Sequence, residues 1–282
     1  ELFNSMFMSA SAVLIAVGRV LSQDPDGRLA ILPADHSIGD EARFQQTLRH
    51  AFTLAEKYVV TLGVRPSYAE TGYGYIRRAA GALDDCPDDI DGYPVAEFTE
   101  KPDRELAEQF VASGSYFWNA GIFVLPAASF TEMARAIDPY YGEVVDEIAK
   151  ASRLGDLSQE LLTRLLEPLP NINIDKAVME QCKKLAVIPA DVPWSDVGTW
   201  DAAFDERESG ADNLVVGDAR VAGGSGNVAV ATAQAPAVVL YDVDDLVVVA
   251  TEDAVLVTHK GNGQKVGNVV GIMRDEGRDD LM

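Results

Sequence analysis

The spacing of apolar residues changes repeatedly along the first part of the chain. Residues 10–21 are apolar on most faces, which predicts a buried helix, and the short apolar run at residues 29–32 predicts a buried strand. Residues 40–57 carry apolar side chains at helical spacing, and the β-branched run at residues 58–64 predicts a second strand. Helices that alternate with strands favour a largely parallel sheet with helices on both faces.

The alternation continues further along the chain. Residues 93–98 alternate between apolar and polar side chains like a strand, residues 103–112 predict a helix, and residues 116–125 are apolar again. Several helices are expected between residues 127 and 167, and residues 185–189 resemble a further strand. This part of the sequence therefore predicts one α/β domain.

Residues 213–272 have a different character. Short valine-rich runs alternate with glycine-rich turns at residues 223–227 and 261–263, and no strong helical pattern occurs. This pattern predicts a small all-β region, with a boundary between residues 208 and 213.

Composition limits the classes of function. The chain has 282 residues, of which 48% are hydrophobic, so it can form a large core, and its formal net charge is −22 at pH 7. Nucleic acid and anionic membranes are held by clustered lysine and arginine side chains, which are scarce here, so neither partner is expected. An anionic substrate must be held by local groups.

Cysteine usage and the first apolar stretch indicate a cytoplasmic protein. Cys86 and Cys182 form neither a C-x-x-C pair nor a Cys/His cluster, so no disulfide framework or zinc site is indicated. Residues 6–21 follow Glu1 rather than a basic start, are too few to span a membrane, and contain Arg19. We expect a buried helix there, not a signal or anchor.

Two aspartates each follow an apolar or turn-rich run. Asp35 lies in LPADH (residues 32–36) and Asp196 in WSDVGTW (residues 194–200). Magnesium prefers oxygen ligands and commonly binds one or two carboxylates together with substrate phosphates, so this pair predicts a magnesium site and phosphate chemistry. The alternative is that both are turn or N-cap aspartates. His36, beside Asp35, is assigned to local hydrogen bonding.

Glycines and tyrosines alternate in ETGYGYI (residues 70–76). Gly72 and Gly74 would let main-chain N–H groups approach a ligand closely, and Tyr75 offers a flat surface and a hydroxyl. The alternative is an ordinary β-turn that contains glycine.

FTEKPD (residues 98–103) places opposite charges side by side where a strand ends. A carboxylate such as Glu100 accepts hydrogen bonds from sugar hydroxyls, and an ammonium such as Lys101 attracts a phosphate, so the pair suits a sugar phosphate. The alternative is a surface charge pair that contributes little to stability.

FWNAGIF (residues 117–123) sets one amide, Asn119, within an aromatic and apolar strand. Either a polyhydroxylated ligand or a main-chain partner in a β-bulge would satisfy that amide. Residues 173–180 predict the start of a capped helix, in which Asp175 or Glu180 would also face a cleft; capping alone is the alternative explanation.

Taken in order, LPADH, ETGYGYI, FTEKPD, FWNAGIF, IDKAVME and WSDVGTW resemble the motifs of the sugar nucleotidyltransferases, most closely those of the mannose-1-phosphate guanylyltransferases, also called GDP-mannose pyrophosphorylases. The resemblance implies transfer of a guanylyl group from GTP to mannose 1-phosphate, with GDP-mannose and pyrophosphate as products. Two alternatives remain open. One is the same chemistry on another sugar 1-phosphate, such as glucose 1-phosphate with dTTP or ATP, and the other is a noncatalytic regulatory subunit that binds sugar nucleotides.

The resemblance also implies an architecture and a set of site residues. Residues 1–208 would form a nucleotidyltransferase domain with a Rossmann-like, mostly parallel mixed sheet, and residues 209–282 a small β domain with left-handed β-helix character that supports a homodimer. The implied catalytic residues are Asp35, Lys101 and Asp196, with Mg²⁺ held by Asp35 and Asp196, and the implied substrate-binding residues are Gly72, Gly74, Tyr75, Glu100, Lys101, Asn119, Gly121 and Asp175.

The sequence departs from this family at two places. The family begins with a strand and a glycine-rich loop, G-G-x-G-x-R followed by P-K, which hold the triphosphate, and nothing like that loop occurs here. We expect the natural protein to contain the missing segment, because its loss would leave a sheet edge unpaired. Lys176 also stands where the family usually has the tyrosine of an Asp-Tyr-Ala sequence.

Overall fold

The computed structural model describes residues 10–81, 83, 86–170, 172–206 and 211–278. The chain divides into two compact units, one of Glu1–Ala34 with Ile38–Trp194 and the other of Asp35–Ser37 with Ser195–Met282. Within the described ranges, no helix is both long and apolar enough to cross a membrane.

The first unit is built from helices and one large sheet. Its helices are α1 (Ala10–Gln23), α2 (Glu41–Leu54), α3 (Arg104–Ser113), α4 (Ala127–Ile137), α5 (Pro139–Leu154), α6 (Gln159–Leu166) and α7 (Ile174–Ala177), the last followed by a 3₁₀ turn, Met179–Gln181. Its sheet strands are β1 (Arg28–Ile31), β3 (Val59–Val64), β4 (Gly74–Arg78), β5 (Tyr93–Glu100), β6 (Tyr116–Pro126) and β7 (Leu185–Pro189). The short strands β2 (Ser37–Ile38) and β8 (Trp194–Ser195) lie where the chain passes from one unit to the other.

The sheet is mixed, with the order β1-β6-β3-β7-β5-β4 and a further pairing between β6 and β4. The expectation of a mostly parallel sheet is wrong for the described strands: β3 and β7 pair in parallel, whereas β6 runs antiparallel to β1, β3 and β4, and β5 runs antiparallel to β4 and β7. Alternation of helix and strand along a sequence does not fix strand direction, because a long strand such as β6 inserts between neighbours that run the other way.

Helices cover both faces of this sheet, as the sequence predicts. Successive residues of β6 belong to different cores, with Phe123 and Leu125 beside α1, α4 and α5, and Ile122 and Val124 beside α2 and α3. Side chains alternate across a strand, so each face of the sheet buries its own layer of helices.

The second unit contains α8 (Trp200–Asp205), β9 (Leu214–Gly217), β10 (Ala219–Ala222), β11 (Val228–Ala231), β12 (Val238–Tyr241), β13 (Leu246–Ala250), β14 (Val255–His259), a 3₁₀ turn (Gly263–Lys265) and α9 (Val266–Asp275). Strands β9, β11 and β13 pair in parallel, as do β10 and β12, while β14 pairs antiparallel with β13. The expected small β region is therefore present, with α9 as an additional helix that the sequence pattern did not reveal.

The division between the units comes earlier than the expected boundary at residues 208 and 209, which lies outside the described residues. Helix α8 explains the difference, because its Phe204 packs against Val228, Val230 and Val247 in the β strands. Asp196 belongs with the second unit, whereas Trp194, the first residue of its motif, belongs with the first.

Candidate active site

Gly74 and Glu100 form the centre of a polar cluster in the first unit. The two residues are directly opposite in the antiparallel pair β4–β5. A Cβ built on Gly74 would lie 2.6 Å from Glu100 Oε2, and the Glu100 side chain is only 8% exposed. The absence of a side chain at position 74 therefore makes room for a buried carboxylate.

Tyr75 supports the loop that precedes this cluster. Its side chain is fully buried, and its hydroxyl donates to the main-chain oxygen of Glu70 at 2.9 Å and accepts from the Glu70 N–H at 3.0 Å. The Gly72 N–H donates to Glu70 Oε1 at 2.8 Å. The expectation that Tyr75 contacts a substrate is not supported, since its ring is inside the core and its hydroxyl is bonded to the main chain; strand alternation places it on the face opposite Gly74.

Lys101 extends from the cluster toward solvent. Its backbone φ is 49°, a left-handed conformation that is uncommon for residues other than glycine, and its N–H donates to the main-chain oxygen of Tyr73 at 3.2 Å. Its Nζ lies 3.8 Å from Glu100 Oε1, and its side chain is 62% exposed. The ammonium is thus free to approach an anionic ligand while it remains close to the Glu100 carboxylate.

Asn119 is held by both main-chain and side-chain partners. Its Oδ1 accepts from the Gly121 N–H at 3.2 Å and from the Thr61 hydroxyl at 3.1 Å, and its Nδ2 donates to Asp175 Oδ1 at 2.8 Å. The β3–β6 register shifts between Thr61 and Gly63, and Gly121 has φ 66°. The main-chain partner in a strand irregularity, one of the two explanations that the sequence left open, is therefore present.

Asp175 and Glu100 are two carboxyl groups whose pKa values are both raised. Burial raises the pKa of the Asp175 carboxyl to about 7; the charge of Glu100 adds to this effect and the hydrogen bond from Asn119 opposes it. Burial also raises the pKa of the Glu100 carboxyl, against the opposing charges of Lys101 and Lys176. Carboxyl groups with raised pKa values in one cluster are typical of functional sites.

Lys176 and Thr61 belong to this cluster, although the sequence interpretation assigned a role to neither. The charge of Lys176 acts on the Glu100 carboxyl together with the charge of Lys101. The place of Lys176 next to Asp175 in the IDKAVME motif was the available signal. Thr61 is the one polar side chain in the otherwise apolar strand β3, a signal of the same kind as Asn119.

In the second unit, Asp35 and Asp196 lie close to one imidazole. Burial lowers the pKa of the His36 imidazole, while the charges of Asp35 and Asp196 act to raise it. Asp196 Oδ1 accepts from the Gly198 N–H at 3.0 Å, and Val197 between them has φ 48°. A β-branched residue in this conformation stores strain of about 1–3 kcal/mol, which commonly occurs at functional sites.

The donor set of this second cluster fits magnesium better than a metal that needs a complete protein cage. No group of three or more His, Cys, Asp or Glu side chains that would hold a metal occurs among the residues that the structure describes. Magnesium keeps several waters and is often bound by one or two carboxylates plus substrate phosphates. Two carboxylates, one of them exposed, are therefore sufficient protein ligands for it.

A mixed α/β sheet covered by helices on both faces is consistent with a nucleotide-transferring enzyme. Residues 8–212 match the Nucleotidyl transferase family, and the chain belongs to that family.

Similar proteins have related names. The chain is 34% identical to Mannose-1-phosphate guanylyltransferase 2 of Escherichia coli O157:H7, over 94% of this chain and 56% of that protein. It is 36% identical to the alginate biosynthesis protein AlgA of Pseudomonas aeruginosa, over 96% of this chain and 55% of that protein. The chain thus spans about half the length of the curated relatives that it matches. The crystal structure of a mannose-1-phosphate geranyltransferase from Thermus thermophilus superposes with a TM-score of 0.76 at 32% identity, covering 94% of this chain and 75% of that one.

Proposed function

We propose that this protein transfers a guanylyl group from GTP to mannose 1-phosphate and releases GDP-mannose and pyrophosphate. The observation that carries the proposal is the cluster around Gly74, where the buried Glu100 carboxylate lies next to the exposed Lys101 ammonium. The names of the similar proteins supply the nucleotide and the sugar. The alternative substrates and the noncatalytic role have no observation of their own in their favour.

In this proposal the first unit holds the sugar phosphate. Glu100 accepts hydrogen bonds from sugar hydroxyls, and Lys101 binds the phosphate, because an ammonium attracts an anion that a carboxylate repels. Asn119 and Gly121 contact the sugar ring. Asp175 Oδ1 accepts a hydrogen bond from Asn119 Nδ2 at 2.8 Å, which orients the amide. Lys176 adds positive charge to a cluster that must accept an anion in a chain of net charge −22.

Asp35 and Asp196 are the proposed magnesium ligands. When bound, magnesium would neutralise charge on the phosphates of the nucleotide. The protein's own part is to hold both carboxylates near His36. The Gly198 N–H donates to Asp196 Oδ1 at 3.0 Å and so orients that carboxylate. The transfer itself requires little more than positioning and charge stabilisation, so no covalent protein intermediate is part of the proposal.

The second unit is proposed to support a homodimer in the cytoplasm. Its parallel pairing of β9, β11 and β13 and of β10 and β12 is compatible with left-handed β-helix character. Large apolar side chains are exposed on its strands, among them Val239, Tyr241, Val255 and Val257. Exposed apolar groups of this kind favour association with another surface.

Release of pyrophosphate tests the proposed function. Purified full-length protein supplied with GTP, mannose 1-phosphate and Mg²⁺ should release pyrophosphate, and omission of either substrate or of Mg²⁺ should abolish the release. Parallel reactions with ATP, UTP or dTTP, and with glucose 1-phosphate, identify the preferred base and sugar. Calorimetric binding without turnover for every nucleotide would favour the regulatory alternative and reject the enzyme.

A further inference from the structure

Thr61 places a hydroxyl in the middle of a buried strand. All six residues of β3 are buried, Thr61 is 0% exposed, and no neighbour in the strand has a polar side chain. A buried hydroxyl without a partner is costly, so its contacts are informative. Thr61 Oγ1 lies 3.1 Å from Asn119 Oδ1 and 3.3 Å from the main-chain oxygen of Ile122.

The contacts on Asn119 Oδ1 determine which way the amide points. The Gly121 N–H is a fixed donor 3.2 Å from this atom. The Thr61 hydroxyl has one hydrogen and two acceptors in reach, and Asn119 Oδ1, at 3.1 Å, is nearer than the Ile122 oxygen, at 3.3 Å. An amide nitrogen cannot accept from the Gly121 N–H, so Oδ1 must face Gly121 and Nδ2 must face Asp175. Asp175 Oδ1 accepts from Nδ2 at 2.8 Å, within the usual range for such a bond.

The orientation leaves one donor for a ligand. Nδ2 carries two hydrogens, and within the described part of the chain the Asp175 carboxylate is its one hydrogen-bond acceptor. Asn119 is half-buried rather than buried, and its Cβ lies near the space that Gly74 leaves beside Glu100. The second N–H is thus placed in the cluster whose carboxylate and ammonium suit a sugar phosphate.

We propose that Thr61 is a positioning residue, which holds the Asn119 amide so that one Nδ2 hydrogen binds Asp175 and the other donates to a hydroxyl of the sugar phosphate. The ligand part of this inference rests on the proposed function, whereas the effect of Thr61 on Asn119 and Asp175 does not. Thr61 acts through Asn119 and has no contact with the reacting atoms in this account.

Three variants separate positioning from loss of a buried hydroxyl. Thr61→Val keeps the shape and removes the donor, and Thr61→Ser keeps the donor. Thr131→Val is the matched control, because Thr131 is 3% exposed and its hydroxyl donates to the Ala127 main-chain oxygen at 2.8 Å within helix α4. Calorimetry measures binding of mannose 1-phosphate, and carbon-13 NMR follows titration of the Asp175 carboxyl, whose resonance is identified by Asp175→Asn.

Thr61→Val should weaken mannose 1-phosphate binding about threefold to tenfold, because a typical hydrogen bond contributes that factor. It should also raise the titration midpoint of Asp175 by about 0.5 to 1 pH unit, because the Nδ2 bond favours the carboxylate. Thr61→Ser should restore both quantities, and Thr131→Val should change neither. Should Thr61→Val prove too unstable, Thr61→Cys, with a weak donor, should give intermediate values.

An unchanged Asp175 midpoint in Thr61→Val would overturn the inference, as would equal effects of Thr131→Val. Failure of Thr61→Ser to restore binding and midpoint would do the same. If the wild type does not bind mannose 1-phosphate but the Asp175 midpoint still responds to Thr61→Val, the proposed function fails and the positioning role stands.

Discussion

Gly74 and Glu100 face each other across the paired strands β4 and β5, and the Glu100 carboxylate occupies the space that a side chain at position 74 would fill. The built Cβ at position 74 lies 2.6 Å from Glu100 Oε2, well inside the distance at which such atoms make contact. The same added Cβ would lie 3.3 Å from Asn119 Cβ, which is a second close contact. The glycine therefore leaves the space that this carboxylate occupies, and any larger residue at position 74 would require the end of the Glu100 side chain to move.

Gly74→Ala should displace Glu100 and weaken binding of mannose 1-phosphate about tenfold or more. The end of the Glu100 side chain can move aside, so the free energy of unfolding should fall by less than the roughly 1–3 kcal/mol that an added methyl costs in a rigidly packed core. Gly267→Ala is the control, because a Cβ at Gly267 in α9 meets nothing within 4 Å. That control should stabilise the protein by up to about 1 kcal/mol, as is usual for glycine in a helix. Calorimetry and urea denaturation measure both effects, and unchanged binding in Gly74→Ala would contradict the proposed place of Glu100 in the site.

The sequence predicted this cluster only in part. FTEKPD was correctly placed where a strand ends, but ETGYGYI was assigned to no strand, although β4 begins at Gly74. The direct pairing of Gly74 with Glu100 depends on strand register, which no local pattern specifies. The same limit explains Tyr75: its motif suggested a ligand contact, while strand alternation turns it into the core.

Other features depended on tertiary contacts that the sequence does not reveal. The succession of helices and strands correctly predicted helices on both faces of a sheet. It predicted the strand directions wrongly, because β6 inserts between β1 and β3 and runs antiparallel to both. The change to short valine-rich runs from residue 213 predicted a boundary just before it, whereas the packing of Phe204 on Val228 places α8 with the second unit. Thr61 was overlooked because a single threonine in a valine-rich strand fits β propensity equally well.

Asp175 should make the stability of the protein depend on pH. Its pKa is raised from 3.8 to about 7 in the folded state, so the folded protein binds this proton more tightly than the unfolded chain does. The stabilisation is fully present below 3.8 and is lost as the pH rises through about 7. Within that window the group should lower the free energy of unfolding by about 1.4 kcal/mol per pH unit.

Asp175→Asn removes this titration and should flatten the pH dependence between the two values. Urea denaturation at several pH values measures the slope for each protein. Asp218→Asn is the matched control, because it makes the same change of charge at an exposed position and should retain the wild-type slope. Equal slopes for Asp175→Asn and wild type would show that the buried Asp175 carboxyl does not control the pH dependence of the free energy of unfolding.

Asp196→Asn should reduce pyrophosphate release about a hundredfold or more, as is usual when a charge-stabilising group is removed. The fold should be retained, because an asparagine Oδ1 can also accept from the Gly198 N–H that now lies 3.0 Å from Asp196 Oδ1. Turnover measured over a range of Mg²⁺ concentrations distinguishes weaker metal binding from loss of substrate binding. Asp218→Asn again serves as the control. Normal metal-dependent turnover in Asp196→Asn would reject this residue as a magnesium ligand.

The Asn227 side chain forms hydrogen bonds to three neighbouring segments of the second unit. It is 0% exposed, its Nδ2 donates to Asn213 Oδ1 at 3.0 Å and to the Val243 main-chain oxygen at 2.8 Å, and its Oδ1 accepts from the Leu246 N–H at 3.0 Å. The amide thus connects the segments that precede β9, β11 and β13. A buried polar side chain with every group bonded stabilises a fold, but it is costly to truncate.

Asn227→Ala should destabilise the second unit by about 2–4 kcal/mol, because the Leu246 N–H and the Val243 oxygen lose their buried partner. The two units need not unfold together, so one melting temperature is not a sufficient measurement. Hydrogen exchange followed by mass spectrometry should show protection lost in β11 and β13 and retained in β3 and β6. Asn268→Ala, at an exposed position in α9, should leave every segment as protected as in the wild type. Equal loss of protection in both units would mean that they unfold cooperatively, and no loss in β11 or β13 would mean that Asn227 does not hold these strands together.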